Sequence, residues 1–399
     1  MTQPDRAARK TPMTHRDLSK ILMRNDSAIR NLNIVRSFPV VEQNIFDTMS
    51  DFFSEKYSNM KGYEISVDAR EYDGAFFFPA LTKNLQLPAG RCMEVLAYDS
   101  NISPIWNAQF FRNWFCGFRD HPALPVFPFK PVREMEILRG RYFYIGMMDS
   151  HFGHFILETL GRFWAPFDPK DFDGFLIHFD PGKNLNAHKS GSYAQYFRAL
   201  GINPESIRVI DKPIFVESVC VPHTPCILPA RESFIAPELK IACRKINNMM
   251  REKSSSPSKA PSRVYISRRS LNSSLANRKL LNEEEIENAF ARRGFHIMFP
   301  ETLPNEYDKH LLLSEAEVVA GVPGSGLLNS TFCRNGVHVI AIESAFPANM
   351  ALSHQIQVSE VVGDKLDVFF SYSSRQNDPE WRVDISELDV FLDRVLGSA

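Results

Sequence analysis

The sequence lacks the features that mark membrane-spanning, disulfide-rich and zinc-binding proteins. It contains no run of about 18 apolar residues and no signal-peptide pattern, because the N-terminus stays polar and charged through Arg16. We therefore expect a chain that does not span a membrane. Its 6 cysteines are scattered without a CxxC pair, which argues against a zinc site of the usual spacing and against a disulfide framework. Reduced, mostly buried thiols in a cytoplasmic protein are the expected state.

The sequence also lacks an excess of charge of either sign and any repeat at a fixed period. A formal net charge of -1 argues against a protein that binds nucleic acid through a basic face. At 399 residues, with 44% hydrophobic and 23% charged residues, the chain has the composition of an ordinary globular protein and is long enough for two domains. We therefore expect no nucleic-acid partner.

Residues 1–60 are predicted to form an N-terminal helical and β extension. From Asp17 to Asn33 the apolar residues recur at roughly helical spacing, and up to Arg36 the chain carries eight Lys or Arg against three Asp. A basic amphipathic helix over 17–36 could rest on an anionic membrane surface, which would place the protein at the inner face of the membrane. The alternative is that the helix packs its apolar face on the domain that follows.

The rest of the chain is predicted to divide at a polar linker. Residues 253–262, KSSSPSKAPS, separate an N-terminal α/β domain over 61–252 from a C-terminal domain over 263–399. In the second domain, apolar runs at 264–267, 295–299, 317–322 and 337–343 alternate with helical segments, which predicts a parallel, doubly wound, Rossmann-like sheet. A last helix, at 385–396, is expected to return and brace the first domain.

The stretch 318–332, VVAGVPGSGLLNSTF, predicts a buried strand, a glycine-rich turn and a helix that begins near Leu327. Glycines at a strand-to-helix turn let the backbone approach a ligand closely, and the N–H groups and dipole at a helix start favour phosphate. The candidate phosphate-binding residues are Gly324, Ser325 and Gly326. The alternative is a tight turn that binds nothing.

Other polar residues follow the remaining strands of this domain, and ligands bind beyond the carboxyl ends of such strands. Arginine side chains and free backbone N–H groups can bind a diphosphate, and a carboxylate can accept hydrogen bonds from ribose hydroxyls. The pattern therefore predicts a nucleotide-diphosphate site, with surface charges and a helix cap as the alternatives for single residues. Its members besides the glycine turn are Arg268 and Arg269 after the first strand, Glu301 after the second and Glu343 after the fourth.

In the first domain, the stretch 149–162, DSHFGHFILETLGR, predicts a helix capped by Asp149 or Ser150. His154, Glu158 and Arg162 then share one face at i, i+4 and i+8. A histidine near a helix start can act as a general base, whereas the structural alternative is a Glu158–Arg162 ion pair beside a hydrogen-bonded histidine.

Metal binding is not expected. The spacing of His151, His154 and Glu158 fits ligands on one helix face, but Gly153 interrupts that turn and no further His or Cys cluster accompanies it. The acidic triplet at 171–173 precedes a strand instead of following one, so we interpret it as a turn.

Taken together, these segments resemble glycosyltransferase family 61. The resemblance covers about 140–345 and rests on six short motifs in the family's order, none of them specific alone. They are the helix motif with His154, Phe155, Glu158 and Arg162; the strand end from Tyr265 to Arg268; the helix start Asn282, Glu283 and Glu284; Gly294, Phe295, Pro300 and Glu301; the turn Gly324 to Leu327 with Asn329; and the strand that ends at Glu343.

The resemblance implies a GT-B architecture of two Rossmann-like domains facing a cleft, with the nucleotide-sugar donor in the second domain. It also implies inversion at the anomeric carbon without an obligatory metal or other cofactor. Many members carry a histidine before the glycine turn where this chain has Pro323, so a role given to that histidine cannot be transferred.

The sequence thus predicts a cytoplasmic inverting glycosyltransferase that moves a sugar from a nucleotide-sugar donor to a glycan or lipid-linked acceptor in polysaccharide or capsule biosynthesis. The predicted catalytic residues are His154, Glu158 and Arg268. The predicted donor-binding residues are Arg268, Arg269, Glu301, Gly324, Ser325, Gly326, Asn329 and Glu343. The alternatives are an epimerase-type enzyme that modifies sugar nucleotides and a non-catalytic glycan- or nucleotide-binding module.

Overall fold

The computed structural model describes residues 33–39, 61–84, 91–108, 111–113, 135–148, 151–179, 186–228, 232–256, 259–271, 279–344, 350–371 and 380–397. Its strands are β1 (Asn33–Pro39), β2 (Lys61–Ser66), β3 (Ala69–Asn84), β4 (Arg91–Asp99), β5 (Phe111–Asn113), β6 (Glu136–Met148), β7 (Gly174–Phe179), β8 (Ile207–Val209), β9 (Ile214–Pro222), β10 (Cys226–Ile227), β11 (Glu232–Ile235), β12 (Arg263–Ile266), β13 (Lys279–Leu280), β14 (His296–Met298), β15 (Val318–Gly321), β16 (His338–Ser344), β17 (Lys365–Ser371) and β18 (Glu380–Trp381). The regular α-helices are α1 (Gly191–Ala199), α2 (Glu238–Arg251), α3 (Glu283–Ala291), α4 (Glu306–Ser314), α5 (Met350–Val362) and α6 (Ile385–Leu396).

The N-terminal half contains a mixed seven-stranded sheet in the order β5-β4-β3-β9-β6-β7-β8. Strands β9, β6, β7 and β8 run parallel, whereas β3, β4 and β5 pair antiparallel, and β3 also pairs antiparallel with β9. A mixed α/β fold is therefore confirmed, but this sheet is not the wholly parallel one of a simple Rossmann-like domain. The aromatic-rich region before residue 140 supplies the antiparallel strands, which a search for strand–helix alternation does not detect.

The C-terminal half contains the predicted parallel sheet, in the order β14-β12-β15-β16-β17. Counted along this half the order is 2-1-3-4-5, so the chain changes its direction of winding between β12 and β15. Open α/β sheets bind ligands outside the carboxyl ends of the strands at such a switch point. In this sheet, the residues after β12 and β15 include Arg268 and the glycine turn.

Apolar clusters cover both faces of the C-terminal sheet, as expected for a doubly wound fold. On one face, Leu313 of α4 and Leu352 of α5 pack beside Val319 and Val339. The opposite cluster joins the sheet to α3 and to Phe391 of α6. The expectation that the last helix braces the first domain is therefore wrong, because its apolar side completes the core of the C-terminal sheet.

Helices of the two halves pack directly against each other. One buried apolar cluster contains Leu239 of α2 together with Phe332 from the C-terminal half. A buried ion pair also joins the halves, with Lys240 Nζ 3.1 Å from Asp364 Oδ1. Burial raises the pKa of the Asp364 carboxyl to about 6. The proposed boundaries at 61–252, 253–262 and 263–399 stay predictions.

Among the described residues, no helix has both the length and the apolar character needed to cross a bilayer. The predicted amphipathic helix of 17–36 lies outside the described residues, except for 33–36. Those four residues belong to β1, which pairs antiparallel with β2. The membrane contact of that segment stays a prediction.

Histidines whose pKa is lowered by burial set an expected pH dependence of stability. His178 is fully buried, its Nε2 donates to the Phe78 carbonyl at 2.8 Å and its Nδ1 accepts from the Tyr144 hydroxyl at 2.9 Å. Burial lowers the pKa of His178 and of His223 to about 4, and it lowers the pKa of His310 well below its usual value. Protonating these rings in the folded state would leave a charge without water around it.

We expect the free energy of unfolding to fall as the pH drops from 6.5 towards 4. The folded-state pKa of His178 is below the value of 6.5 that an unfolded chain would show, so the unfolded state takes up the proton first. Each such histidine contributes about 1.4 kcal/mol per pH unit in this window. The measurement is urea unfolding of His178→Gln at several pH values. The slope of its free energy of unfolding against pH should be shallower than that of the wild type by about that amount. His296→Gln is the control, because His296 is exposed, and an unchanged slope for His178→Gln would contradict the assignment.

Candidate functional site

The strand registers bring the predicted segments to one edge of the C-terminal sheet. Ile266 pairs with Gly321 and with Met298, so Arg268, the glycine turn and Glu301 all follow the paired ends of adjacent strands. Gly321 in turn pairs with Ala341, two residues before Glu343. The parallel pairing therefore places all four segments at the carboxyl edge, as the sequence predicts, while their roles in binding stay predictions.

The glycine turn adopts a backbone that requires glycine at one position. Gly324 has a φ of 145°, a conformation that side chains with a Cβ rarely adopt. The predicted helix begins at Leu327 and forms as a 3-10 helix of six residues, Leu327–Phe332. A short 3-10 helix carries little macrodipole, so phosphate binding at this turn would depend on the local N–H groups and on neighbouring cations.

Asn329 holds the glycine turn in place. Its side-chain amide donates to the backbone carbonyls of Ser325 at 2.9 Å and Gly326 at 2.8 Å. The residue is almost fully buried, at 2% exposure, so its visible contacts are with the turn itself. The structure thus gives Asn329 a supporting position, and its predicted direct contact with a donor stays a prediction.

The two neighbouring arginines differ in what they contact. Arg269 forms an ion pair with Glu287, with Nη2 2.9 Å from Oε2, and its guanidinium lies 5.5 Å from the centre of the Phe299 ring. Arg268 is half-buried, and among the described residues its guanidinium makes no hydrogen bond or ion pair. Its backbone N–H instead donates to Glu283 Oε1 at 2.7 Å. Of the two, Arg268 therefore has the guanidinium that is available for an anion.

Acidic residues of α3 fix the segment that carries these arginines. Glu287 Oε1 accepts from the Ser267 hydroxyl at 2.7 Å, and Glu283 accepts the Arg268 N–H. Burial raises the pKa of the Glu283 carboxyl. Acidic residues at the start of a helix interact favourably with its dipole, and here two acidic residues of α3 also bond to the end of the strand.

The two predicted carboxylates of the edge have different surroundings. Glu301 lies in the 3-10 segment Pro300–Thr302, is exposed, and accepts a hydrogen bond from the Ser270 hydroxyl at 3.0 Å. Glu343 is 1% exposed, and its Oε1 accepts from the Ser344 N–H at 2.9 Å. Glu301 is therefore the more accessible of the two for ligand hydroxyls.

The helix predicted at 152–164 forms, but it is irregular. It consists of an α-turn (Phe152–His154), a π-helical segment (Phe155–Thr159) and a 3-10 segment (Leu160–Trp164). The Leu160 N–H donates to the Phe155 carbonyl, which spans five residues and widens the turn. His151 directly precedes the first turn, so the helix starts later than the predicted caps at 149–150, which lie outside the described residues.

This irregularity changes the predicted helix face. His154 Nδ1 lies 3.0 Å from Glu158 Oε2, so the i,i+4 contact forms as expected. Arg162 does not pair with Glu158 in an ion pair. It is 1% exposed, and its Nη1 donates to the backbone carbonyls of Asn107 and Pro222. The widened turn rotates Arg162 away from the face that a regular helix would give it.

Arg162 therefore acts on the site indirectly, through the Glu158 carboxylate. Burial lowers the pKa of its guanidinium to about 10, and its positive charge interacts with the buried Glu158 carboxylate. That carboxylate lies 3.0 Å from His154 Nδ1, and in the tautomer in which Nδ1 donates to it, Nε2 is the nitrogen left to accept a proton. A histidine oriented by a carboxylate in this way can accept a proton from a substrate.

The helix with His154 meets the glycine turn at Gly153. A methyl group built on Gly153 would lie 3.1 Å from Ser325 Oγ and 3.5 Å from His151 Nδ1. The shorter of these distances is tight for a Cβ, so a side chain at this position would require its neighbour to shift by a few tenths of an ångström. The histidines of the N-terminal half and the glycine turn of the C-terminal half therefore lie next to each other.

Two neighbours of this contact were not found from the sequence. His151 packs edge-to-face on His154, with 5.2 Å between ring centres. Lys309 of α4 is 4% exposed, pairs with Glu306, and holds its ammonium 4.3 Å from the centre of the Phe152 ring. His151 had been noted only as part of a metal-like spacing, and nothing in the sequence near Lys309 signals a contact with a segment so distant along the chain.

Within the described part of the chain, no group of three or more His, Cys, Asp or Glu side chains is arranged to hold a metal ion. The pair of His154 and Glu158 has the geometry of a proton-accepting dyad. The described residues thus bring a histidine–carboxylate pair close to a glycine turn.

The chain was compared with known protein families and with curated proteins. The family described as Glycosyltransferase 61 matches residues 152–340, a range that includes His154, Arg268 and the glycine turn. No curated protein matches the chain. Residues 152–340 are therefore similar to glycosyltransferase family 61, and the match supports glycosyl transfer as the class of reaction.

Proposed function

We propose that this protein is an inverting glycosyltransferase that uses a nucleotide-diphosphate sugar as donor. The observation that carries the proposal is the contact at Gly153, where the turn at Ser325 meets the helix of His154. A base and a receptor for a leaving diphosphate then lie side by side, which is the arrangement that direct displacement at a sugar carbon needs. The GT-B arrangement, with the donor in the C-terminal half, is part of the same proposal.

The proposed reaction is one displacement. His154 Nε2 accepts the proton of an acceptor hydroxyl while the acceptor oxygen forms a bond to the anomeric carbon. The bond between that carbon and the diphosphate oxygen breaks, and its electron pair leaves with the diphosphate. Glu158 keeps the imidazole in the required tautomer and stabilises the positive charge that develops on the ring.

Negative charge that develops on the leaving diphosphate is the main electrostatic demand of this step. The unpaired guanidinium of Arg268 and the N–H groups from Gly324 to Gly326 are proposed to receive it. Glu301 is proposed to accept hydrogen bonds from ribose or sugar hydroxyls, with Glu343 supporting the same edge. Metal is not required in this scheme, because protein cations and N–H groups supply the compensating charge.

The acceptor is proposed to be a growing polysaccharide, such as a capsule, or a lipid-linked glycan, in the cytoplasm at the inner face of the membrane. This part rests on the resemblance to bacterial polysaccharide-assembly enzymes and on the basic segment at 17–36. An epimerase-type enzyme would use the same C-terminal edge but would form no new glycosidic bond.

We expect one nucleoside diphosphate to raise the melting temperature of the protein without a divalent metal. A ligand that binds only the folded state stabilises it in proportion to its occupancy, so saturation at about 100 times Kd adds about 2.7 kcal/mol. The measurement is a thermal-shift screen against nucleoside diphosphates and nucleotide sugars, with magnesium or manganese or with a chelator. Arg268→Ala should abolish the shift.

The product distinguishes the remaining candidates. Incubation of the stabilising nucleotide sugar with a panel of glycan acceptors should yield a glycosidic bond of inverted anomeric configuration, detected by mass spectrometry and proton NMR. A retained configuration would contradict the displacement scheme. Absence of any thermal response to nucleotides would contradict the donor site and favour a binding module for glycans.

A further inference from the structure

His151 occupies the position between the proposed base and the proposed diphosphate receptor. It directly precedes the first turn of the irregular helix, and its ring is exposed. On one side it packs against His154, with ring centres 5.2 Å apart and planes inclined by 61°. On the other side, the space over Gly153 separates its Nδ1 from Ser325 Oγ. One imidazole thus lies next to both halves of the site.

Gly153 makes this arrangement possible. The point at which its Cβ would stand is 3.5 Å from His151 Nδ1 and 3.1 Å from Ser325 Oγ. Both atoms therefore face the same small space. Among the described residues, the Ser325 hydroxyl makes no hydrogen bond, although the carbonyl of the same residue accepts from Asn329. A polar ligand atom near the turn would meet both the hydroxyl and the imidazole.

Cationic residues lie on the elements around this space. Glu158, the carboxylate nearest to the histidines along the helix, is 3% exposed and bonds to His154 Nδ1. The Lys309 ammonium, which pairs with Glu306, lies over the ring of Phe152, the residue next to His151. Arg268 follows Ile266, which lies 3.5 Å from the Cβ position of Gly326 in the glycine turn.

We propose that His151 donates a hydrogen bond to the distal phosphate of the leaving nucleoside diphosphate. The inference rests on the proposed function and adds a catalytic residue to it. As the bond between the anomeric carbon and the phosphate oxygen breaks, the electron pair passes to that oxygen, and a donor at this position stabilises the new charge. The acceptor proton goes to His154, so the two histidines have different tasks.

The placement predicts which phosphate is contacted. The distal phosphate carries the sugar, and the proposed base His154 acts at the anomeric carbon of that sugar. The ring of His151 packs against the ring of His154. The proximal phosphate lies further towards the nucleoside, at the strand end with Arg268. Loss of His151 should therefore weaken the binding of a nucleoside diphosphate but not of the matching nucleoside monophosphate.

The test compares His151→Ala and His151→Gln with the wild-type protein by titration calorimetry. The probes are the nucleoside diphosphate that stabilises the wild type in the thermal-shift screen and its monophosphate. His151→Ala should weaken the binding of the diphosphate by about tenfold or more, because a hydrogen bond to a charged group is lost. It should weaken the binding of the monophosphate by less than about twofold. Glutamine keeps an N–H donor and should retain part of the affinity. The rate of nucleotide-sugar hydrolysis should decrease from the wild type to His151→Gln and further to His151→Ala.

The control is His296→Ala, which removes an exposed histidine from β14 and should change neither affinity. Equal diphosphate affinities for wild type and His151→Ala would overturn the assignment while leaving the donor site intact. Equal weakening of monophosphate and diphosphate would overturn it as well, because the contact would then not be with the distal phosphate. If no nucleoside diphosphate binds the wild type, the proposed function fails and this inference fails with it.

Discussion

Replacement of Arg268 by alanine should lower kcat/KM for glycosyl transfer by about 10²- to 10³-fold, the loss seen when one preorganised donor to a developing charge is removed. Arg268 follows the strand end at the switch point, and its guanidinium has no protein partner among the described residues. The Glu283 carboxylate interacts with the Arg268 charge but bonds only to its backbone N–H, so the N–H groups of the guanidinium are available to an anion. Steady-state kinetics with the nucleotide sugar found by thermal shift measures the effect.

The neighbouring arginine provides the matched control. Arg269 is bound to Glu287 and Glu284 of α3 and stacks near Phe299, so its charge is already engaged. Arg269→Ala should change kcat/KM by less than about tenfold, since only a more distant charge is lost. Both variants should keep the wild-type melting temperature within a few degrees. If Arg269→Ala proves as damaging as Arg268→Ala, the assignment of the diphosphate to Arg268 is wrong.

Replacement of His154 by glutamine should lower turnover by about 10²- to 10⁴-fold, the range for loss of a general base. The affinity for the nucleoside diphosphate should change little, because the base acts on the acceptor and not on the donor. His154 is 8% exposed and bonded to Glu158, so glutamine is chosen to keep most of the volume and a polar contact. Turnover and calorimetric affinity measured on the same preparation separate the two effects.

Glu158→Gln tests the orientation of the ring. Glutamine can still accept the Nδ1–H, but it lacks the charge that stabilises the imidazolium. Turnover should therefore fall, as it does for His154→Gln, while the affinity for the donor stays unchanged. His296→Gln serves as the exposed histidine control. Near-normal turnover of His154→Gln would leave the His154–Glu158 pair as a structural contact, and the base would have to be sought elsewhere.

Local patterns in the sequence were sufficient for the C-terminal sheet. Buried runs such as 318–321 are short, continuous and bounded by turn residues, and each is separated from the next by a helical segment. Because parallel strands end at a common edge, their order along the chain sufficed to predict that Arg268, Glu301 and the glycine turn converge. The i,i+4 contact between His154 and Glu158 was likewise local.

Three features could not be read from local patterns. The π-helical segment at 155–159 moves Arg162 away from Glu158, and its bonds to Asn107 and Pro222 come from remote parts of the chain. The antiparallel strands β3 to β5 join the first sheet through pairings between distant residues. The last helix packs on the C-terminal sheet because Phe369 offers it an apolar partner, with 5.4 Å between the rings of Phe369 and Phe391.

By itself, the sequence determined the parallel sheet, the edge at which polar residues gather and the resemblance to glycosyltransferase family 61. Periodicity and chain order act over a few residues, and they suffice where a strand, a turn and a helix are contiguous. Only the tertiary structure decided that Ser325 lies against Gly153, that Arg269 is engaged while Arg268 is not, and that His151 stands between base and turn. These contacts join residues far apart along the chain, and packing of the two halves, not local preference, brings them together.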